Sequence, residues 1–302
     1  MIDAHVHVWA QDQLRYPFGP HDGLVAPVGA PTMREFFSNA ATVGVRGAVL
    51  IQPRFYGYDH AYLFDTASAR EISARNMPDP AGGLMSPAVS RVRVVPLVNV
   101  TRPGNAQELR RLAAHESTAA FRVIALEEVP AEWLCSIEAH RMWEVASQLD
   151  LPVSLLIAPH QLRLANRIAR AHADLTIVID HMGRCTPRLQ RQFSSALLDL
   201  AEWPNVYIKL SAIGTLSNSP FPYPDMHDLL QSLYLDYGAS RLLWGSDWPH
   251  VGRPGTYGNA SAAVRQALAS AAEEDLEMIF DATAARLFGF DSSSAGGSDG
   301  NT

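Results

Sequence analysis

Short apolar runs punctuate the chain at residues 2–8, 47–53, 92–100, 121–126, 153–158, 176–181, 206–212 and 242–247. They are rich in β-branched residues and nearly continuous rather than alternating. Strands buried on both faces read this way, and such strands belong to parallel sheets. The stretches 33–43, 61–75, 106–115, 136–149, 161–173, 189–202, 226–237 and 260–271 lie between or after them. These are mostly rich in Ala, Leu, Arg and Glu, with apolar positions at helical spacing. Thr32, Asn105 and Ser136 stand where helix starts need a capping side chain, and Gly44 stands where the first helix should stop. Eight strands alternating with eight helices predict an α/β fold of the (β/α)8 TIM-barrel type. It forms a single domain over residues 1–290, with its site at the C-terminal ends of the strands. An open doubly wound sheet is the alternative, but no Gly-x-Gly-x-x-Gly follows a strand. Residues 76–87, 103–104 and 217–224 read as loops. Residues 291–302 are Ser, Gly, Asp and Asn with almost nothing to bury, and read as a disordered tail.

The polar exceptions to this pattern are what carry chemistry. His5 and His7 sit two apart on the first strand, so both imidazoles point the same way from an otherwise apolar segment. Buried imidazoles need polar partners, a substrate or a metal. Arg54 follows the second strand, and Arg122 lies on the fourth. Asp180 and His181 end the sixth, followed by Met182, Gly183 and Arg184. Lys209 and Ser211 share a face of the seventh, and Ser246, Asp247 and His250 close the eighth. These groups come from strands distant in sequence and gather at the predicted catalytic rim, which unrelated core histidines would not do. Each has a plainer reading alone. Asp247 could cap a turn before Trp248-Pro249. Asp180 is better suited to orienting a histidine than to reacting. Lys209 could be an ion-pair partner. Arg122 needs an anion, which could be a structural carboxylate such as Glu127 or Glu128. Tyr56 and Tyr58 could be packing or recognition.

Composition narrows the function classes. With 302 residues and 47% hydrophobic content, the chain can bury a large core. No stretch reaches the roughly 20 apolar residues that span a bilayer, and no basic segment precedes a hydrophobic one at the start, so the expected location is the cytoplasm. Cys135 and Cys185 form no disulfide framework and no Cys-x-x-Cys site. The 24 basic and 31 acidic residues give a net charge of −7. With no basic stripe, nucleic acid is not an expected partner, and neither is a membrane. The expected partner is a small-molecule substrate, and self-association into a homo-oligomer stays open.

His5-Val6-His7, Asp180-His181-Met182-Gly183-Arg184 and Trp244-Gly245-Ser246-Asp247-Trp248-Pro249, in that order, resemble the amidohydrolase superfamily. The nearest branch is the amidohydrolase-2 type, which contains 2-pyrone-4,6-dicarboxylate lactonase and sugar-lactone hydrolases. Val49-Leu50-Ile51-Gln52-Pro53, Tyr56-Gly57-Tyr58-Asp59 and Asn205-Val206-Tyr207-Ile208-Lys209-Leu210-Ser211 extend the match, which covers residues 1 to about 290. The resemblance implies lactone hydrolysis, with Asp247 as general base for water and His5, His7 and His181 polarising the carbonyl or holding a metal. It implies that Arg122 holds a substrate carboxylate. Arg184, Arg54, Tyr58 and His250 are the further candidates for substrate binding. A second arginine is missing where Ala125-Leu126-Glu127-Glu128 stand, and none follows strand seven. A smaller or less anionic lactone than the pyrone dicarboxylate therefore fits better.

Ester hydrolysis needs a base for water, an electrophilic group at the carbonyl oxygen, and anchors for the rest of the substrate. Asp247 as base requires a dry pocket that raises a carboxyl pKa normally near 4. The three histidines with Asp247 also make a plausible zinc or manganese set. His160 follows Pro159 beyond strand five, poorly placed to join it. The reading therefore favours either no required cofactor or one weakly held divalent metal. A metal-dependent decarboxylase or amide hydrolase on the same scaffold is the alternative. A ligand-binding barrel without catalysis is the further one.

Overall fold

All eight predicted strands form, because each run of β-branched and aliphatic residues can be buried on both faces by a ring of helices. The computed structural model describes residues 1–19, 31–73, 91–126, 131–251 and 257–290. The strands are β1 Ile2–Val6, β2 Gly47–Ile51, β3 Arg91–Val95, β4 Phe121–Ala125, β5 Val153–Ile157, β6 Ile177–Ile179, β7 Val206–Leu210 and β8 Leu242–Trp244. The helices are α1 Met33–Ala41, α2 Ala61–Ser73, α3 Asn105–Ala113, α4 Ile137–Gln148, α5 Leu162–Ala171, α6 Pro187–Asp199, α7 Ile213–Leu216, α8 His227–Tyr237, α9 Tyr257–Ala267, α10 Glu273–Glu277 and α11 Thr283–Phe288. None among the described residues is long and apolar enough to cross a membrane.

Every strand pairing is parallel. One sheet has the order β1-β2-β3 and the other β4-β5-β6-β7-β8. Backbone hydrogen bonds stitch both seams. The Arg122 N–H donates to the Pro96 carbonyl (2.8 Å) and the Val98 N–H to the Arg122 carbonyl (2.9 Å). At the other seam the His7 N–H donates to Trp248 (2.8 Å) and the Asp247 N–H to His5 (2.9 Å). The architecture is TIM-barrel-like.

The strands are shorter than the apolar runs, for local reasons. β3 ends at Val95 because Pro96 has no N–H to give the ladder. β6 ends at Ile179 because the chain enters a left-handed turn at His181. The caps at Thr32 and Ser136 form as expected, Thr32 in a reciprocal box with Glu35. Asn105 does not cap. It is the first residue of α3, and Gly104, with φ 81°, takes the cap position. The predicted loop 76–87 and tail 291–302 lie outside the described residues, as do Glu127 and Glu128. Residues 273–290, not predicted as structure, form α10, a π-turn and α11. Phe288 and Phe290 pack there in one buried cluster with strand residues Val49, Val95, Val178 and Leu243.

Candidate active site

Period two along β1 and the residue just past it puts Asp3, His5 and His7 on one face. His5 Nε2 and His7 Nε2 lie 3.2 Å apart. His7 Nδ1 is 2.9 Å from the Ile51 carbonyl. A carbonyl only accepts, so Nδ1 carries the proton and Nε2 keeps its lone pair. The end of β8 is brought against this pair by Gly245. A Cβ there would sit 2.8 Å from the His5 Cβ and 2.9 Å from the His5 nitrogen, so only glycine permits the approach. Asp3 anchors the next residue: its Oδ1 accepts from the Ser246 N–H (2.8 Å) and its Oδ2 from the Tyr257 hydroxyl (2.7 Å). Asp247 follows at φ 62°. Its Oδ1 stands 3.5 Å from His5 Nε2, 3.6 Å from His7 Nε2 and 3.9 Å from His181 Nε2. His181, Met182, Gly183 and Arg184 all have positive φ, and three of them are not glycine. Such backbone costs about 1 kcal/mol or more per residue and persists where the surroundings enforce it. Here the His181 Nδ1 bond to the Ser211 hydroxyl (2.8 Å) fixes the ring.

Beneath the histidines lies an ion cluster centred on Asp180. Its Oδ2 accepts from Arg122 Nε (2.8 Å), and its Oδ1 accepts from Ser154 Oγ (2.7 Å) and Lys209 Nζ (2.9 Å). His5 Nδ1 stands 3.5 Å from the same Oδ1 and 3.2 Å from Lys209 Nζ. Asp180 and Lys209 are fully buried and Arg122 is 2% exposed, so these charges answer one another rather than water.

Burial sets the acid–base character. It pushes the Asp247 carboxyl up to about 8, against the pull of Arg122 and with help from Asp180 and Asp3. It pushes His181 down to about 3. It holds His5 well below the usual imidazole range, reinforced by Lys209, and His7 likewise, reinforced by Arg122. Burial alone would raise Asp180, but the Lys209 and Arg122 charges outweigh it and hold that carboxyl well below the ordinary range. The site thus contains neutral imidazoles, a permanent carboxylate at its base, and one carboxyl poised to take a proton near neutrality.

The structure brings together His5, His7, His181 and Asp247 as the sequence predicts. Arg184 is half-buried beside them, within electrostatic reach of Asp247 and Arg54, and its side chain makes no hydrogen bond among the described residues. Arg54 opens the short turn after β2. The His250 ring lies 5.9 Å from that of His7 at the rim. Arg122 meets a structural carboxylate, Asp180 rather than Glu127 or Glu128. Its Nε is committed to Asp180, an internal carboxylate, leaving only its outer nitrogens for a substrate. Tyr58 is not brought to the site. It is half-exposed and lines a separate groove of about 460 Å³ with His60, Arg102 and Arg111, bonded to Asn99. His160 is exposed and lies in a short turn after β5, away from the cluster. Cys135 and Cys185 are free. Sequence reasoning missed Asp3 and Ser154. Asp3 had a signal, standing two residues before His5 on the same face; Ser154 had one only in its pairing register with Arg122.

His5, His7 and Asp247 each offer a ligand atom within 4.8 Å of the others. Ligands 2.0–2.1 Å from a tetrahedral ion lie about 3.4 Å apart, and the three separations here are 3.2, 3.5 and 3.6 Å. The donor set therefore fits a divalent metal, with His181 adjacent through Asp247.

The imidazole–carboxylate centre lies at the C-terminal ends of the strands, where TIM-barrel-like α/β folds carry their active sites. The chain belongs to the amidohydrolase family, whose model matches residues 2–290. It is 26% identical over 268 residues to an L-fucono-1,5-lactonase of Burkholderia ambifaria, covering 86% of this chain and 84% of that one. It is 27% identical over 256 residues to a 4-sulfomuconolactone hydrolase of Rhizobium radiobacter, covering 83% and 76%. A crystal structure of a probable 2-pyrone-4,6-dicarboxylic acid hydrolase from Acinetobacter baumannii superposes with a TM-score of 0.77 at 22% identity, covering 96% and 99%.

Proposed function

We propose that this chain hydrolyses a small lactone carrying one acidic group, on a single closed (β/α)8 barrel. The observation that carries the reading is Asp247: a buried carboxyl pushed up to about 8, its Oδ1 within 3.9 Å of three imidazoles, in a chain similar to two lactone hydrolases.

The groups divide the work. Ionised Asp247 takes a proton from water as the oxygen attacks the ester carbonyl. A base whose pKa lies near the working pH combines availability with strength. His7, its Nε2 unprotonated, is an acceptor, so hydrogen-bond donation to the developing oxyanion falls to His5 and His181. Removing one such donor costs about 10²-fold or more in other enzymes. Collapse of the tetrahedral species breaks the ring C–O bond, and the proton held by Asp247 returns to the leaving alkoxide. The product is the open hydroxy acid. A zinc or manganese ion, held by His5, His7 and Asp247, would polarise the carbonyl and acidify water. Arg184, whose side chain makes no hydrogen bond among the described residues, is the anchor for an anionic substituent, with the Arg54 charge within electrostatic reach. Among the described residues Arg184 is the site arginine whose side chain makes no hydrogen bond, while Arg122 is held by Asp180, which favours one acidic group over two.

Metal-stripped and metal-supplemented protein should be assayed against neutral, singly acidic and doubly acidic lactones. The singly acidic ones are expected to show the highest kcat/KM. Arg184→Met should raise their KM about 10-fold or more, the worth of a charge-assisted hydrogen bond, with a smaller change in kcat. No turnover of any lactone, or release of carbon dioxide from an aromatic acid instead, would overturn the reading.

A further inference from the structure

We propose that Lys209 is a positioning residue that sets the tautomer of His5, keeping the ring a hydrogen-bond donor toward the reacting centre and weakening the site's hold on a divalent metal.

An ammonium group has three protons and no lone pair, so it can only donate. Lys209 Nζ is fully buried, 2.9 Å from Asp180 Oδ1 and 3.2 Å from His5 Nδ1. The carboxylate takes one of its protons. The nitrogen of His5 that faces it must take another, which leaves Nδ1 without a proton and places the ring proton on Nε2. That proton points at two acceptors, the bare Nε2 of His7 at 3.2 Å and Asp247 Oδ1 at 3.5 Å. The His7 tautomer, fixed independently by the Ile51 carbonyl at 2.9 Å, supplies the lone pair that this arrangement requires. The two rings mesh donor to acceptor. A substrate carbonyl entering between them meets an N–H from His5.

A metal ion needs the opposite. His5 could ligate through Nε2 only after its proton moved to Nδ1, where it would face the Lys209 ammonium. The alternative acceptor for that proton, Asp180 Oδ1, is more distant at 3.5 Å and already engaged by Lys209 and Ser154. The same charge also repels a dication. The spacing of the three ligand atoms thus admits a metal, while the cation behind His5 disfavours one. The role in turnover rests on the hydrolytic reading above. The tautomer and the metal affinity do not.

The test begins with wild-type protein labelled with ¹⁵N-histidine and stripped of metal. Long-range ¹H–¹⁵N correlation separates protonated from bare ring nitrogens, and the His5 signals are those lost in His5→Gln. A bare Nδ1 and protonated Nε2 are expected; a protonated Nδ1 would overturn the proposal, and this readout needs no Lys209 variant to fold. Zinc affinity is then measured by chelator competition. Removing a unit charge about 7 Å from a doubly charged ion at an effective dielectric near 20 predicts that Lys209→Met binds zinc on the order of 10³-fold more tightly, with the His5 proton moved to Nδ1. Equal zinc affinity in the two proteins would also overturn it. In the lactone assay Lys209→Met should lower kcat at nearly constant KM. If no lactone is turned over at all, the hydrolytic reading fails while the tautomer and zinc results still decide this one.

Discussion

Asp247→Asn is expected to lower kcat for lactone hydrolysis by about 10³-fold or more and, in the same protein, to raise the melting temperature at neutral and alkaline pH. Loss of a positioned base alone costs 10²- to 10⁴-fold, by general experience of such groups, and asparagine cannot take its place. The stability effect has the same origin. Burial raises the Asp247 carboxyl to about 8, against about 3.9 in an unfolded chain. Below pH 4 both states hold the proton, and the carboxyl is neutral throughout. Between about 4 and 8 the unfolded chain releases a proton that the folded protein keeps. Stability therefore falls as pH rises across this window, by up to roughly 1.4 kcal/mol per unit. Above about 8 the loss is complete. Asparagine has no such titration, so the two proteins should melt alike near pH 4 and diverge progressively toward pH 8. The wild-type activity of metal-free protein should climb over the upper part of the same range, as the base ionises. Thermal melts and kcat/KM from pH 4 to 9 check both halves. A constant melting difference, or activity that survives in Asp247→Asn, would remove Asp247 from its role. The pairing of lost activity with gained stability is the mark of a group kept strained for function.

The parts of this site that were legible in the sequence are those in which one element suffices. His5 and His7 share a strand face by the period of the backbone. His181 and Asp247 end strands, where a barrel places its reactive groups. The eight apolar runs marked their strands because burial on both faces leaves little choice of residue. The Asp180 cluster was not legible in this way. Arg122, Ser154, Lys209 and His5 belong to four other strands, and their meeting depends on register, which apolar strands do not display. Arg122 in an apolar strand announced the need for an anion but not which one. Tyr58 was misplaced because an aromatic residue in a loop after a strand carries no sign of which side of the rim it takes. The closing segment from residue 273 to 290 mixes a π-turn with two short helices, so no single period runs through it. It is held by Phe288 and Phe290 against strand residues far away in sequence.

Asp180→Asn is expected to be the most destabilising single change in the site, by about 3–5 kcal/mol, because it leaves Arg122 and Lys209 buried without their counter-charge. Both cations lose the carboxylate that stands 2.8–2.9 Å from them. Lys209→Met should cost less, since Asp180 keeps Arg122 and Ser154. The pH dependence carries a check of sign. The Asp180 carboxyl is held well below its ordinary value, so its stabilisation is fully present above about pH 4 and is lost as pH falls through the folded value. The melting difference between wild type and Asp180→Asn should therefore be widest above pH 4 and shrink in acid, the reverse of the trend for Asp247→Asn. Denaturant melts at pH 7 and pH 3 measure it, and an equal difference at both would show that the carboxylate is not the centre of the cluster. Replacing the triad together, as Asp180→Leu with Arg122→Met and Lys209→Met, removes the charges and the need to solvate them. It should recover much of the lost stability, because well-packed apolar groups commonly match a buried ion cluster. Activity should not return, for no residue would then hold His5 in its donor form beside Asp247. A fold that tolerates the triple change and a reaction that does not would place the cluster's value in the site rather than in the core.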